Sequence, residues 1–169
     1  MPLVAALIGA GGVAHHHARA YQLDDRVGEI WVVDTRWGVH EQFAQQYPKV
    51  SHTTTDYEDA VNADVVSFVD ICLPHYLHHP VALMALRAGK HVVLEKPIAM
   101  TIEEATQMLE EAGRAERCLF VSMNQLAYPS HITVQQLLQE GVIGQTISCS
   151  GKRVWKRVGA HDGRHELEG

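Results

Sequence analysis

The fold of this 169-residue chain is decided by residues 3–14, which read LVAALIGAGGVA. The first six are apolar and uncharged, which is typical of a strand buried on both faces of a sheet. The pattern G-x-G-x-x-A follows, in which Gly9 allows a tight turn, Gly11 lets a diphosphate approach the backbone, and Ala14 lets the next helix pack closely. That helix is predicted over residues 13–23, with its N-terminal backbone donors directed at the phosphates. The predicted phosphate-binding residues are Gly9, Ala10, Gly11, Gly12, Val13 and Ala14.

A second predicted strand, Ile30–Val33, ends in Asp34, and Thr35 and Arg36 follow it. An acid at this distance from the glycine pattern accepts hydrogen bonds from the ribose hydroxyls of a dinucleotide and repels a 2′-phosphate, which favours NAD. Arg36 can pair with such a phosphate if Asp34 turns away, so NADP stays open. The competing interpretation is a glycine-rich turn beside a surface aspartate. We predict that Asp34, Thr35 and Arg36 bind the cofactor.

A third informative stretch is Ala88–Pro97, which reads AGKHVVLEKP. Its apolar run ends abruptly in Glu95, Lys96 and Pro97, and Pro97 stops the strand because it has no backbone donor. Ligands of open α/β sheets lie beyond the carboxyl ends of the strands, so this carboxylate and this ammonium are offered to a ligand. A lysine in a partly dry cleft can act as an acid or base, which makes Lys96 the catalytic candidate and Glu95 a positioning group. The alternative is an exposed Glu-Lys pair at a strand end.

Strands and helices alternate through the rest of the chain. Five or six strands separated by helices predict an α/β fold with a doubly wound parallel (Rossmann) sheet, because parallel neighbours need crossover connections. In the helix that a capping box opens at Thr101, the predicted core face contains Ala105, Met108, Leu109 and Ala112. The other predicted elements are strands Val65–Leu73 and Leu119–Met123, helices Pro80–Ala88 and Ile132–Glu140, a turn Gly141–Gly144 and a strand Thr146–Val158.

Four motifs together resemble one known family. They are the glycine pattern, LPHYLH at Leu73–His78, AGKHVVLEKP at Ala88–Pro97 and GVIG at Gly141–Gly144. The chain is thereby similar, from about Leu3 to about Ser150, to the glucose-fructose oxidoreductase, inositol dehydrogenase and rhizopine-catabolism (Gfo/Idh/MocA) family. The resemblance implies an NAD(P)-dependent dehydrogenase of sugars, cyclitols or related polyols, with an N-terminal dinucleotide-binding domain and a C-terminal α/β domain.

The resemblance also implies roles for single residues. Lys96 would lie near the nicotinamide and the substrate hydroxyl, where it orients the substrate and assists proton transfer. His75 stands where the family usually has Asn, and His78 either touches the cofactor or caps a helix. Asn124 matches a position near the cofactor, although residues 124–129 depart from the commoner Arg-Phe-x-Pro. The remaining predicted cofactor-binding residues are Leu73, Pro74, His75, His78, Glu95, Lys96, Pro97 and Asn124.

Composition excludes several other classes of function. A formal net charge of −6 argues against nucleic-acid binding. The three widely spaced cysteines are interpreted as reduced thiols of a cytoplasmic protein, and the N-terminus predicts neither a signal peptide nor a membrane span. Although the chain has twelve histidines, His15, His16 and His17 point to different helix faces, so no metal site is predicted.

The end of the chain predicts an incomplete second domain. We expect a dinucleotide-binding domain at residues 1–123 and, at 124–169, the first helix and strand of a truncated second α/β domain. The family continues into an acid and a catalytic histidine, and His161, Asp162 and His165 do not match that context. Two functions therefore stay open: part of an oxidoreductase that forms a homo-oligomer in its longer form, or a non-catalytic dinucleotide- or partner-binding module.

Overall fold

The computed structural model describes residues 2–36 and 38–152. Six parallel strands form one sheet in the order β3-β2-β1-β4-β5-β6, which confirms the predicted doubly wound α/β fold. The chain divides into two compact units, Met1–Asn124 and Gln125–Gly169. The strands are β1 (Leu3–Ile8), β2 (Val27–Val33), β3 (Val50–Thr54), β4 (Phe68–Ile71), β5 (His91–Glu95) and β6 (Leu119–Ser122). The helices are α1 (Ala14–Leu23), α2 (Val39–Gln46), α3 (Tyr57–Asn62), α4 (His78–Arg87), α5 (Ile102–Ala115) and α6 (Pro129–Gln139).

The central strand β1 joins two hydrophobic cores. Its residues Val4, Ala6 and Ile8 pack with buried residues of α3, α4 and α5 on one face of the sheet. The alternating residues Ala5 and Leu7 pack with α1 and α2 on the other face. Burial on both faces explains why the strand reads as an unbroken apolar run.

The chain order changes direction between β1 and β4, and this switch point creates a crevice beyond the strand ends. Ile8 of β1 pairs with Val33 of β2 on one side and with Ile71 of β4 on the other. The three strands therefore end level with one another. The segments that follow them begin at Gly9, at Asp34 and at Cys72, so the topology brings these segments to one edge of the sheet.

Two details of the predicted elements are wrong. The strand predicted over Val65–Leu73 is only β4: Val65 is half exposed, and Leu73 and Pro74 lie in the loop after it. His75 belongs to a single 3₁₀ turn, His75–Leu77. In α5 Leu109 is exposed, whereas Met108 and Ala112 are buried as predicted.

Three elements have no counterpart in the predictions. The edge strand β3 carries exposed polar residues at 51–53 and so has no apolar run, and α2 and α3 are short. In the second unit, α6 begins three residues before the predicted Ile132, and Gly141 and Gly144 have positive φ values of 70° and 71° in the predicted turn. Residues 146–152 of the predicted last strand form no strand, and residues 153–158, like His161, Asp162 and His165, lie outside the described residues.

Among residues 2–36 and 38–152, none forms part of a helix that is both long and apolar enough to cross a bilayer. Cys72, Cys118 and Cys149 are free thiols.

Candidate functional site

The glycine turn after β1 is held against the start of the loop after β4. Gly9 has φ of 93°, and a Cβ atom there would lie 2.5 Å from the carbonyl oxygen of Cys72. Only glycine fits both this conformation and this close approach. A Cβ atom on Gly11 would meet no atom within 4 Å. Glycine is thus required at the two positions for different reasons. Gly9 lets the turn approach the Cys72 carbonyl closely, and Gly11 leaves the space beside the turn open.

The backbone amides of the turn divide into two groups. The Gly9 amide donates to the Val33 carbonyl at 2.8 Å, and the Ala10 amide donates to Asp34 Oδ2 at 2.9 Å. Within the described part of the chain, the amides of Gly11, Gly12 and Val13 have no acceptor. These three donors lie at the N-terminus of α1, where the helix dipole also favours an anion. The residues therefore fit a bound phosphate group.

Asp34 follows β2 and links the glycine turn to Arg36. Its carboxylate accepts hydrogen bonds from the Arg36 backbone amide at 2.9 Å and from the guanidinium Nε and Nη2 at 3.0 Å each. Burial raises the pKa of Asp34, but the hydrogen bonds from Arg36 and Ala10 outweigh it and lower the pKa to about 2. Asp34 is thus an anion at neutral pH, as an acceptor of ribose hydroxyls must be.

A first cleft of about 470 Å³ lies over the glycine turn. Seven of the predicted residues line it. Ala14 lies outside it, fully buried in the core beneath α1, which agrees with its predicted packing role. The seven lining residues are Gly9, Gly11, Asp34, Thr35, Arg36, Leu73 and Pro74.

A second cleft of about 420 Å³ lies between α1 and the carboxyl ends of β5 and β6. Three predicted residues, Val13, Glu95 and Asn124, line it. Gly11 borders the first cleft and Val13 the second, so the start of α1 connects the two. The ten predicted residues that line a cleft therefore divide between two clefts rather than one.

The residues around the ends of β4 and β5 differ in exposure. Lys96, Pro97 and His75 are exposed, so the partly dry cleft predicted around Lys96 is absent from the described residues. The Lys96 backbone amide donates to Glu95 Oε2 at 3.2 Å, and the Lys96-Pro97 peptide is cis. Glu95 itself is buried.

His78 makes contacts that neither of its two predicted roles describes. Its side chain is fully buried and lines neither cleft. It does not cap α4 either, because its ring nitrogens lie 2.8 Å from the Pro97 carbonyl oxygen and 2.9 Å from the Leu73 carbonyl oxygen. His78 instead ties the loop after β4 to the loop after β5, and so positions the segments that carry the other candidates.

Sequence reasoning missed a partly buried polar cluster at the second cleft, three of whose members, His17, Tyr21 and Glu95, line it. The His17 cluster consists of His17 and Tyr21 of α1, Asp70 of β4, Cys72 and Glu95. His17 Nδ1 lies 2.7 Å from Asp70 Oδ2, and His17 Nε2 lies 3.1 Å from Glu95 Oε1. Tyr21 donates its hydroxyl to Asp70 Oδ2 at 2.5 Å, and Cys72 donates its thiol to Asp70 Oδ1 at 3.8 Å.

The pKa shifts in this cluster assign its protons. Burial lowers the pKa of His17, but hydrogen bonds and charges from Asp70 and Glu95 outweigh burial and raise it above 6.5. Burial and the Asp70 charge raise the pKa of the Tyr21 hydroxyl and of the Cys72 thiol. Both groups therefore stay protonated at neutral pH and serve as donors to Asp70.

Three atoms of the cluster also meet the spacing of a metal site. Ligand atoms of His17, Asp70 and Cys72 lie within 4.8 Å of one another. A metal would require deprotonation of the Cys72 thiol, whose pKa burial raises, and would displace the Tyr21 hydroxyl from Asp70. The donor pattern therefore fits a hydrogen-bond network better than a metal centre.

Comparison with known proteins gives one family. Residues 3–123 match the GFO_IDH_MocA family, described as an oxidoreductase family with an NAD-binding Rossmann fold. The chain is 35% identical to D-glucoside 3-dehydrogenase of Escherichia coli (strain K12) over 172 aligned positions. This alignment covers 94% of this chain and 45% of that protein.

Solved structures agree with this match. A levoglucosan dehydrogenase in complex with NADH and levoglucosan superposes with a TM-score of 0.78 at 25% identity, over 86% of this chain and 41% of that one. A 3-ketoreductase from Actinomadura kijaniata, in complex with TDP-benzene and NADP, gives 0.77 at 27% identity, over 86% and 46%. The chain thus spans less than half the length of these relatives.

Proposed function

The chain belongs to the GFO_IDH_MocA oxidoreductase family, and we propose that its described part is the dinucleotide-binding domain of an NAD(P)-dependent dehydrogenase. The observation that carries the proposal is the set of three acceptor-free amides at Gly11, Gly12 and Val13, beside a cleft with the anionic Asp34. Backbone donors for a diphosphate and a carboxylate for a ribose are the two requirements of dinucleotide binding.

We propose that the two halves of the cofactor bind in different clefts. Asp34, Thr35 and Arg36 would hold the adenosine half in the first cleft, with Leu73 and Pro74 as its apolar wall. NAD is the proposed cofactor, because the Asp34 carboxylate is anionic and already pairs with Arg36. NADP stays the alternative, in which Arg36 leaves Asp34 for the 2′-phosphate.

The second cleft would receive the nicotinamide half, near Val13, Glu95 and Asn124. The chemistry that such a cofactor supplies is hydride transfer to or from a carbon that carries a hydroxyl group. Lys96 is the proposed catalytic residue, since it follows Glu95 of this cleft in the chain and an ammonium group can orient a hydroxyl and take or give its proton. The exposed His75 is a further proposed cofactor contact.

The proposed substrate is a sugar, cyclitol or related polyol. D-glucoside 3-dehydrogenase and levoglucosan dehydrogenase are the relatives that favour a carbohydrate. We also propose that residues 1–123 form the cofactor domain and that 124–169 begin a substrate domain, in a cytoplasmic protein that forms homo-oligomers.

The test of this proposal is a titration of the 169-residue chain with NADH and NADPH, followed by nicotinamide fluorescence. We expect saturable binding that Gly11→Val abolishes, because its side chain would fill the space open at Gly11. Gly113→Val is the matched control, since a Cβ atom at exposed Gly113 of α5 also meets nothing within 4 Å. Lys96→Ala should leave the NADH affinity within about twofold, since its proposed role is in turnover.

Three results would count against the proposal. They are no binding of either nucleotide by the folded chain, unchanged affinity in Gly11→Val, and equal losses in Gly11→Val and Gly113→Val. Circular dichroism of each variant shows whether the fold is retained. Binding without turnover of a panel of polyols in a longer form of the protein would favour the alternative, a non-catalytic module.

A further inference from the structure

One imidazole ring in the His17 cluster lies between two carboxylates. Its Nδ1 faces Asp70 Oδ2 and its Nε2 faces Glu95 Oε1, at 2.7 and 3.1 Å. Ionised carboxylates only accept hydrogen bonds, and a neutral imidazole has a single donor. Both contacts are therefore hydrogen bonds between His17 and ionised partners only when the ring carries two protons. A neutral ring would leave one nitrogen lone pair facing a carboxylate oxygen.

The two carboxylates do not depend on His17 equally. Asp70 also accepts from the Tyr21 hydroxyl and the Cys72 thiol, so it keeps two donors if His17 turns away. Within the described part of the chain, the Glu95 carboxylate has two partners, His17 Nε2 and the Lys96 backbone amide. The proton on Nε2 is therefore the one whose loss changes the arrangement most.

Because the cluster is shielded from water, loss of the Nε2 proton should move the Glu95 carboxylate. The side chains of His17, Asp70 and Glu95 are 12%, 0% and 11% exposed. A carboxylate with so little access to water is costly without a donor, and a lone pair facing it adds repulsion. Glu95 would then turn from His17 towards the second cleft, and its contact with Lys96 would change with it.

We infer that His17 is a positioning residue for Lys96, which acts through Glu95: the doubly protonated ring holds the Glu95 carboxylate in the orientation that accepts the Lys96 amide. Its importance for turnover rests on the proposed function, in which Lys96 is catalytic. The geometry of the Asp70-His17-Glu95-Lys96 relay stands without it.

The relay has a definite dependence on pH. Asp70 on β4 and Glu95 at the end of β5 contact the ring. Tyr21 on α1 and Cys72 after β4 contact Asp70, and the Lys96 amide contacts Glu95. As pH rises, Nε2 loses its proton first, because Nδ1 has the shorter contact with the more deeply buried carboxylate. Glu95 is released at that step, and the surroundings of the Lys96 amide change.

The test is an NMR titration of the ¹⁵N-labelled chain without ligand. Long-range ¹H–¹⁵N spectra follow the ring nitrogens of His17, and backbone spectra follow the amides of Lys96 and Cys72. We expect His17 to deprotonate with a midpoint above 6.5, the value of an unperturbed histidine. The Lys96 amide should shift with the same midpoint.

Variants separate the relay from a through-space effect. In Glu95→Gln the Lys96 shift should fall at least threefold, whereas the Cys72 amide, which bonds to the Ile8 carbonyl and not to Glu95, should keep its response. Asp70→Asn should lower the His17 midpoint. His17→Gln assigns the ring signals and should leave the Lys96 amide insensitive to pH in this range, and His16→Gln, one residue away on the exposed side of α1, is the matched control.

The inference is overturned if the Lys96 amide does not follow the His17 midpoint in the wild-type chain, or if Glu95→Gln leaves its shift unchanged. The wild-type titration decides the first point even if a variant does not fold. The NADH titration of Gly11→Val is independent of both. Loss of the relay with NADH binding intact rejects only this inference, and an intact relay without NADH binding rejects only the proposed function.

Discussion

The glycine turn and the His17 cluster flank the same helix, α1, but they are built in opposite ways. The turn consists of consecutive residues, and its backbone provides the donors. The cluster joins side chains from α1, β4 and β5 that lie up to 78 positions apart in the chain. A site made of backbone depends on where side chains are absent, whereas a site made of side chains depends on partners that satisfy one another's charges. Substitutions should therefore affect the two regions differently.

The largest expected effect is on the stability of the folded chain, and it should differ between Gly9 and Gly11 of the glycine turn. Gly9→Ala should destabilise the ligand-free chain by about 3 kcal/mol, because it combines a strained positive φ with a Cβ atom 2.5 Å from the Cys72 carbonyl oxygen. Gly11→Ala should change the stability by less than about 0.5 kcal/mol, since its Cβ atom meets nothing. Urea denaturation followed by circular dichroism measures both. Similar losses in the two variants would contradict this division of roles.

Most of the fold could be predicted from patterns among residues close in sequence. The apolar run of β1, the G-x-G-x-x-A turn and the cap at Thr101, which accepts the Glu104 amide, all depend on residues close in sequence. The edge strand β3 was not predicted because its exposed residues at 51–53 are polar, as the edge of a sheet allows. Leu109 of α5 was wrongly predicted to be buried, because helical spacing identifies the core-facing side of a helix but not the width of the buried stripe.

The candidate site was predictable only where it is local. Gly9, Gly11 and Asp34 follow from one motif and do line one cleft. The partners of His17 could not be found, because Asp70 lies in an otherwise apolar strand and its pairing with α1 is tertiary. One signal was present: a charged residue in the middle of a buried strand must have a partner, and Asp70 was the only charged residue in the predicted strand Val65–Leu73.

A smaller expected effect concerns the choice of cofactor at the glycine turn. Asp34→Ala should weaken NADH binding about tenfold, about 1.4 kcal/mol, because the acceptor of the ribose hydroxyls is lost. NADPH binding should weaken less or improve, because the substitution removes the carboxylate that would repel a 2′-phosphate and that pairs with the Arg36 guanidinium. Fluorescence titration with both nucleotides gives the ratio.

The chain contains a matched control for that substitution. Asp24 and Arg26 form the same arrangement, with the Arg26 amide and guanidinium both donating to the Asp24 carboxylate, but at the exposed end of α1. Asp24→Ala should leave both affinities unchanged. A parallel loss of NADH and NADPH in Asp34→Ala would mean that Asp34 supports the turn, through the Ala10 amide, without selecting the cofactor.

The smallest expected effect is the opposite dependence of the two regions on pH. The folded-state pKa of Asp34 lies below its ordinary 3.8, so its contribution to stability is present above pH 3.8 and is lost as pH falls towards 2. The folded-state pKa of His17 lies above 6.5, so its contribution is present below pH 6.5 and is lost as pH rises through the folded-state value. For Asp34 we expect about 1 kcal/mol, because the exposed Arg36 reduces the effect of the pair.

Stability profiles of variants isolate the two contributions. The difference between wild type and Asp34→Asn should shrink on the acid side, and the difference between wild type and His17→Gln should shrink on the alkaline side. Thermal denaturation between pH 2 and 9 measures both, and Asp24→Asn reports an exposed pair for comparison. If the His17→Gln difference instead grew with rising pH, the ring would be neutral in the fold, and the bridge between Asp70 and Glu95 would need a protonated carboxyl in place of the imidazolium.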